Sequence, residues 1–192
     1  MSTTTTSTVL ADSLPVGVVR DVSLVAGGAV FTGILSQVVV PLPFTPVPLS
    51  LGTFAVLLTG AALGPLRGVL AMLLYLGAGM AGVPWFAEQA SGWHMASFGY
   101  VLGYVLAAGL VGALARRRAD RRPLPMLGSA LLATAAVYVG GVPWLMVSLG
   151  VGLGEALVLG VLPFLLGDAL KAAAAAGLLP ATWRLLRRTD RD

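Results

Sequence analysis

Apolar stretches of membrane-crossing length recur along this chain, and its charges fall almost entirely between them. Six spans can be drawn, each bounded by Pro, Gly or charge and close to the ~20 apolar residues that a ~30 Å hydrocarbon core requires. They cover residues 21–40, 51–63, 66–83, 95–114, 124–142 and 163–186, with boundaries open by several residues. The second is short unless it begins inside the preceding loop. Residues 143–163, PWLMVSLGVGLGEALVLGVLP, are apolar but broken by Gly150, Gly152, Gly154 and Gly160, which predicts a short surface or re-entrant helix pair rather than a further crossing. The pattern predicts an all-α integral membrane protein with six transmembrane helices. Only 10% of the 192 residues are charged and 57% are hydrophobic, so too little polar surface exists for a soluble globule. The 25 glycines suit close helix–helix approach in a bilayer.

The placement of charge orients the bundle. The net charge is +4, yet the basic residues do not form a nucleic-acid surface; they sit at the ends of spans. Arg20 precedes the first span and Arg67 lies between the second and third. Arg116, Arg117, Arg118, Arg121 and Arg122 lie between the fourth and fifth, and Arg184, Arg187, Arg188 and Arg191 close the chain. With six crossings every arginine falls on one side, and the opposite connections carry Glu88, His94 and Glu155. The positive-inside rule then makes both termini cytoplasmic, in a multi-pass protein of the cell membrane surrounded by lipid. Residues 1–15 lack a basic n-region and an apolar h-region and read as a disordered polar tail, leaving residues 16–192 as one membrane domain.

The same residues exclude most catalytic chemistry. Without cysteine there is no disulfide and no thiolate metal site. The lone lysine is followed by Ala172, so no Walker-type phosphate loop exists, and neither HExxH nor GxSxG occurs. No catalytic residue, metal or cofactor is expected.

One basic residue escapes the topological explanation. Lys171 lies inside the last span, on the order of 12 Å deep at ~1.5 Å per residue, and Asp168 precedes it at i, i+3 on the same helix face. Ionisable groups at such depth cost at least ~2.5 kcal/mol and ordinarily face a cavity or a partner. The two could neutralise each other structurally. The reading adopted is a polar substrate site in the outer half of the bundle, where a carboxylate accepts from ligand N–H groups and an ammonium donates to a carbonyl or carboxylate. The run PLPFTPVPLS, residues 41–50, is held extended by its prolines and predicts a stiff lid over the outer mouth, with Phe44 and Thr45 as its ligand contacts. Gln89 and Tyr100 are expected wall residues, while Trp85 and Trp93 read as an interfacial belt. Ala26, Ala29 and Gly33, at i, i+3, i+7, form a small-residue stripe for close packing, read as a docking face for another membrane subunit.

Several longer motifs carry a family resemblance. PVPLSLGTFAVLL, LGPLRG, YLGAGMAGVPWFA, FGYVLGY and LPFLLGDALKAAAA, in that order over roughly residues 25–180, resemble the BioY family, the biotin-specific substrate-binding subunit of energy-coupling factor transporters. The resemblance implies a six-helix bacterial inner-membrane subunit that captures biotin from outside. It also implies a transmembrane coupling protein and two ATPase subunits as partners. It assigns vitamin binding to Asp168 and Lys171, lid closure to Pro41–Pro48 and coupling-protein docking to the region of Ala26–Gly33. The chain departs from the family where a Gly-Pro-Thr-Gly-Gly-Tyr type turn commonly precedes the fourth helix: Met95, Ala96, Ser97, Phe98, Gly99 and Tyr100 stand there. Two rivals stand beside this reading, an ion-coupled secondary transporter of a small carboxylate and a membrane scaffold. The sequence leaves self-association into a homo-oligomer open.

Overall fold

The computed structural model describes residues 8–14 and 17–189, where the regular elements are helices apart from one two-residue strand pair. Helix α1 spans Val18–Ser36. A short antiparallel hairpin follows, β1 Val39–Val40 paired with β2 Leu49–Ser50. Then come α2 Gly52–Leu63, α3 Pro65–Met80, α4 Phe98–Arg116, α5 Pro123–Leu149, α6 Leu153–Gly160 and α7 Leu165–Thr189. Four stretches are long and apolar enough to cross a membrane: Val18–Ser36, Phe98–Arg116, Pro123–Leu149 and Leu153–Leu186, the last made of α6, a turn and α7. The second and third expected spans appear as the shorter apolar helices α2 and α3.

The region expected to hold a helix pair divides differently. Helix α5 continues through Pro143 to Leu149 rather than stopping at Val142. Interior prolines are tolerated in membrane helices where neighbours re-satisfy the freed carbonyl. Gly150 ends α5 in the left-handed region, φ +67°, with its N–H on the Met146 carbonyl. Only α6 remains as a separate short helix. A 3-10 turn, Leu162–Phe164, then leads into α7, with Pro163 at its centre.

The expected tail is also corrected over its described part. Residues 10–13 form a 3-10 turn, and Val9 and Ala11 are 1% and 4% exposed, packed into the core. Asp12 anchors this turn, accepting from Thr8 Oγ1 at 2.5 Å and from Arg67 at 3.1 Å. Burial pushes its carboxyl up, but the hydrogen bonds from Thr8 and Arg67 outweigh burial and hold it below the usual carboxylate range. Residues 1–7, 15 and 16, and Arg191, lie outside the described residues.

Contacts gather the arginines at one end of the bundle. Arg67 also pairs with Asp21 at 3.1 Å, which Arg20 grips at 2.7 Å, and Arg116 borders the same groove. At that end Trp183 of α7 donates to the buried Asp120 at 2.5 Å, and the Arg121 guanidinium lies 4.2 Å from the Trp183 ring centroid. Burial pushes the Asp120 carboxyl up, further than Trp183 and Arg121 lower it. The hairpin, the start of α4 and the start of α7 lie at the other end.

Helices α4 and α5 cross in close backbone contact. A side chain on Gly103 would place its Cβ 2.5 Å from the Val137 carbonyl oxygen, and one on Gly140 would meet the Gly99 oxygen at 2.6 Å. Backbones in such contact gain dispersion and polar attraction that bulkier residues would prevent. Gly103→Ala is expected to cost about 1–3 kcal/mol by forcing the helices apart. Gly128→Ala on α5, with open space around its Cβ, should be neutral or stabilising by up to about 1 kcal/mol. Thermal unfolding in detergent micelles checks the contrast: a Tm lowered by Gly103→Ala alone is expected.

Candidate functional site

The turn after α6 sets the entry angle of α7, so that Asp168 falls in the first turn of that helix. The partial positive charge of a helix N-terminus favours a carboxylate there. Lys171 follows one turn later, and its Nζ lies 3.1 Å from Asp168 Oδ1. The two residues are 7% and 9% exposed, so the pair is withdrawn from solvent on the inward face of α7. The second carboxylate oxygen accepts a short hydrogen bond from the Tyr138 hydroxyl of α5. Both oxygens of Asp168 are thereby engaged, and the buried charge is compensated within one helix turn.

This pair opens onto a cavity of about 610 Å³ of empty space, mouth included. The hairpin closes one side with Val47, Pro48, Leu49 and Ser50, and Phe86 and Phe164 add apolar wall. All four tyrosines of the chain, Tyr75, Tyr100, Tyr104 and Tyr138, line it. Tyr75 and Tyr104 stack at 6.3 Å between centroids, and Tyr100 meets Tyr138 edge-on at 6.2 Å. Thr134, one turn before Tyr138 on α5, also lines the cavity; its hydroxyl is buried and has no hydrogen-bond partner among the described residues. A buried orphan hydroxyl in a cavity wall is a group that a polar ligand would satisfy.

The expected site residues are only partly brought together. Asp168, Lys171 and Tyr100 line the cavity. Tyr100 contributes its ring, because its hydroxyl donates to the Gly160 carbonyl at 2.8 Å and ties α4 to α6. Phe44 is 61% exposed and does not line the cavity. Thr45 Oγ1 donates to the Leu159 carbonyl at 2.7 Å, so this residue fastens the loop to α6, and the ligand-facing part of the loop lies further on at Val47–Ser50. Gln89 is exposed; its backbone N–H donates to Gln37 Oε1 at 3.2 Å, while Gln37 Nε2 holds the Trp85 and Phe86 carbonyls. Gln37 therefore shapes the wall that Gln89 was expected to form. In the small-residue stripe, Ala29 is 0% exposed and Gly33 is buried against the Trp85 ring, so these two pack within the chain. Ala26 alone stays half-exposed, in the groove between α1 and α3.

A family model described as the BioY family matches residues 2–188. A probable biotin transporter BioY from Pyrococcus horikoshii is 36% identical over 159 residues, 81% of this chain and 91% of its own length. Another from Methanothermobacter thermautotrophicus is 39% identical over 135 residues, 65% of this chain and 86% of its own. The fold is similar to a crystal structure of the S-component for biotin from an ECF-type ABC transporter. The TM-score is 0.75 at 22% identity, covering 86% of this chain and 92% of that one.

Coupling within the ion pair has a measurable signature. Lys171→Met strands a buried carboxylate and is expected to destabilise the protein by about 3–5 kcal/mol, whereas replacing both residues, Asp168→Leu with Lys171→Met, should cost far less. Thermal unfolding of ligand-free protein in detergent checks this. A double-variant loss equal to the sum of the losses from Asp168→Leu alone and Lys171→Met alone would mean that the two charges act independently.

Proposed function

Because the chain belongs to the BioY family, we propose that it captures biotin and serves as the biotin-specific substrate-binding subunit of an energy-coupling factor transporter. The observation that carries this reading is the compensated Asp168–Lys171 pair at the wall of a tyrosine-lined cavity. Biotin joins a ureido group, with two N–H donors and one carbonyl acceptor, to an apolar bicycle. Asp168 is placed to accept from a ureido N–H and Lys171 to donate to the ureido carbonyl, and the aromatic wall covers the bicycle. The unpaired Thr134 hydroxyl supplies one more polar contact. Binding involves no covalent step.

The arginine-rich end is the cytoplasmic one in this reading, by the positive-inside rule, which places the cavity and hairpin outside and both termini inside. Six crossings need α2 and α3 to span with help. Twelve residues of α2 reach ~18 Å at ~1.5 Å per residue. The extended residues Leu49 and Ser50 before it add about 7 Å, which together leaves about 5 Å of the ~30 Å core. Energy for release inward comes from a transmembrane coupling protein and two ATPase subunits, since this chain has no phosphate loop. The exposed apolar face of α1, including Val19, Val22 and Ile34, and the half-exposed Ala26 are open to such a partner.

Titration calorimetry on the purified chain in detergent tests the assignment. Stoichiometric binding of biotin is expected, and Asp168→Asn should weaken it about tenfold or more, the value of a hydrogen bond to a charged group. No heat from the wild-type protein over the micromolar range would contradict the reading.

A further inference from the structure

The end of the bundle away from the cavity carries charge that nothing in the described chain neutralises. Helix α4 ends at Arg116, and the turn Ala119–Arg121 leads to Arg122, the N-cap of α5. Arg118 holds a left-handed backbone, φ +67°, and its N–H donates to the Ala115 carbonyl at 2.7 Å, so the connection is a tight, hydrogen-bonded turn. Asp120, the one carboxylate of this turn, is 0% exposed. Its Oδ2 accepts from Trp183 Nε1 of α7 at 2.5 Å, and Arg121 counters its charge. Asp12 and Asp21 of the same end are held by Arg20 and Arg67. That leaves Arg116, Arg117, Arg118, Arg122 and Arg184. All five are exposed, and none has a carboxylate within ion-pair distance among the described residues.

Topology accounts for the side on which these arginines lie, not for their lack of counter-charge. Like charges gathered around one turn repel one another and call for an external anion. Their position decides which anion. Arg116 is the last residue of one apolar stretch of membrane-crossing length and Arg122 directly precedes another, with Arg117 and Arg118 within two residues of the first. A headgroup layer of about 5–8 Å borders each side of the ~30 Å core, so these guanidiniums fall among phosphates. The apolar neighbours agree. Leu124 and Leu185, 78% and 63% exposed, flank Arg122 and Arg184 and set an acyl-chain contact beside each cation. Helix α5 begins here without a side-chain cap, and the positive end of its dipole adds to the arginines. Guanidinium and phosphate pair through two parallel hydrogen bonds. A water-soluble acidic partner would match the charge but offer no acyl chain to the leucines.

We propose that the α4–α5 turn, with Arg184 of α7 beside it, is a binding site for anionic phospholipid headgroups. Asp120 and Trp183 are its positioning residues: they fasten the turn to α7 from the inside and leave its arginines outward. A zwitterionic lipid gains less here, because its own ammonium already balances its phosphate.

Native mass spectrometry of the full chain in detergent tests this, with phosphatidylglycerol and phosphatidylcholine of the same acyl chains as probes. Wild-type protein should bind phosphatidylglycerol about tenfold or more tightly than phosphatidylcholine. Each arginine near an anionic headgroup is worth about fivefold. The triple variant Arg117→Gln, Arg118→Gln, Arg122→Gln should therefore bring the two lipids within about threefold of each other, with phosphatidylcholine affinity unchanged. Arg20→Gln, a charge loss at the same end within a paired cluster, should keep the preference. Equimolar inorganic phosphate should not displace the bound phosphatidylglycerol. A retained melting temperature in phosphatidylcholine shows that each variant is folded, and Arg117→Gln with Arg122→Gln carries the test if the triple variant does not fold. The proposal is overturned if the wild type shows no lipid preference, which would leave these arginines to an acidic partner protein. It is equally overturned if the arginine variants keep the preference, if Arg20→Gln abolishes it as fully, or if inorganic phosphate displaces the lipid.

Discussion

A carboxylate and an ammonium 3.1 Å apart on one face of α7 set the terms for everything around them. Neither can face lipid, so α7 must turn that face inward, and the bundle must supply a polar environment at that depth. Tyr138 answers the second carboxylate oxygen, and the tyrosines, serines and threonines of five other segments complete a cavity that is polar at points and apolar between them. The close α4–α5 crossing follows from the same demand: Gly99, Gly103 and Gly140 let the helices carrying Tyr100, Tyr104, Thr134 and Tyr138 approach, which brings these side chains to one cavity.

The cover of the cavity is anchored at one place. Thr45 of the proline-rich loop and Tyr100 of the wall donate to the adjacent carbonyls of Leu159 and Gly160 at the end of α6. These are last-turn carbonyls, which a helix cannot satisfy internally. Leu49 rests against Gly167 at the start of α7, where a Cβ would lie 3.0 Å from its side chain. The hairpin, the cavity wall and the turn leading to Asp168 therefore share one short helix as their support.

How much of this could be read from the residues depended on how local each signal was. Lys171 stood out because every arginine belonged to a span end, and Asp168 followed from helix spacing. Span positions came from apolar run length, and they match α1, α3, α4 and α7 to within a few residues. Tyr138 was missed because its partner lies 30 residues away, as was the Thr45 tether, whose acceptor lies 114 residues on. A weaker signal for Tyr138 was present, a phenol in mid-span rather than at an interface. The Ala26, Ala29 and Gly33 stripe was misdirected for another reason: α1 is apolar nearly all round, so periodicity could not say which side faces inward. The turn at residues 10–13 is held by Arg67, again a distant partner.

The central claim is that Asp168 and Lys171 grip the ureido group of biotin. Difference infrared spectroscopy with biotin carrying ¹³C at the ureido carbonyl reads that contact directly. Donation from the Lys171 ammonium should shift the labelled carbonyl band to lower frequency on binding, and Lys171→Gln should reverse much of that shift while the tail carboxylate bands stay in place. A ureido band unaffected by Lys171→Gln, with the carboxylate bands moving instead, would contradict the claim.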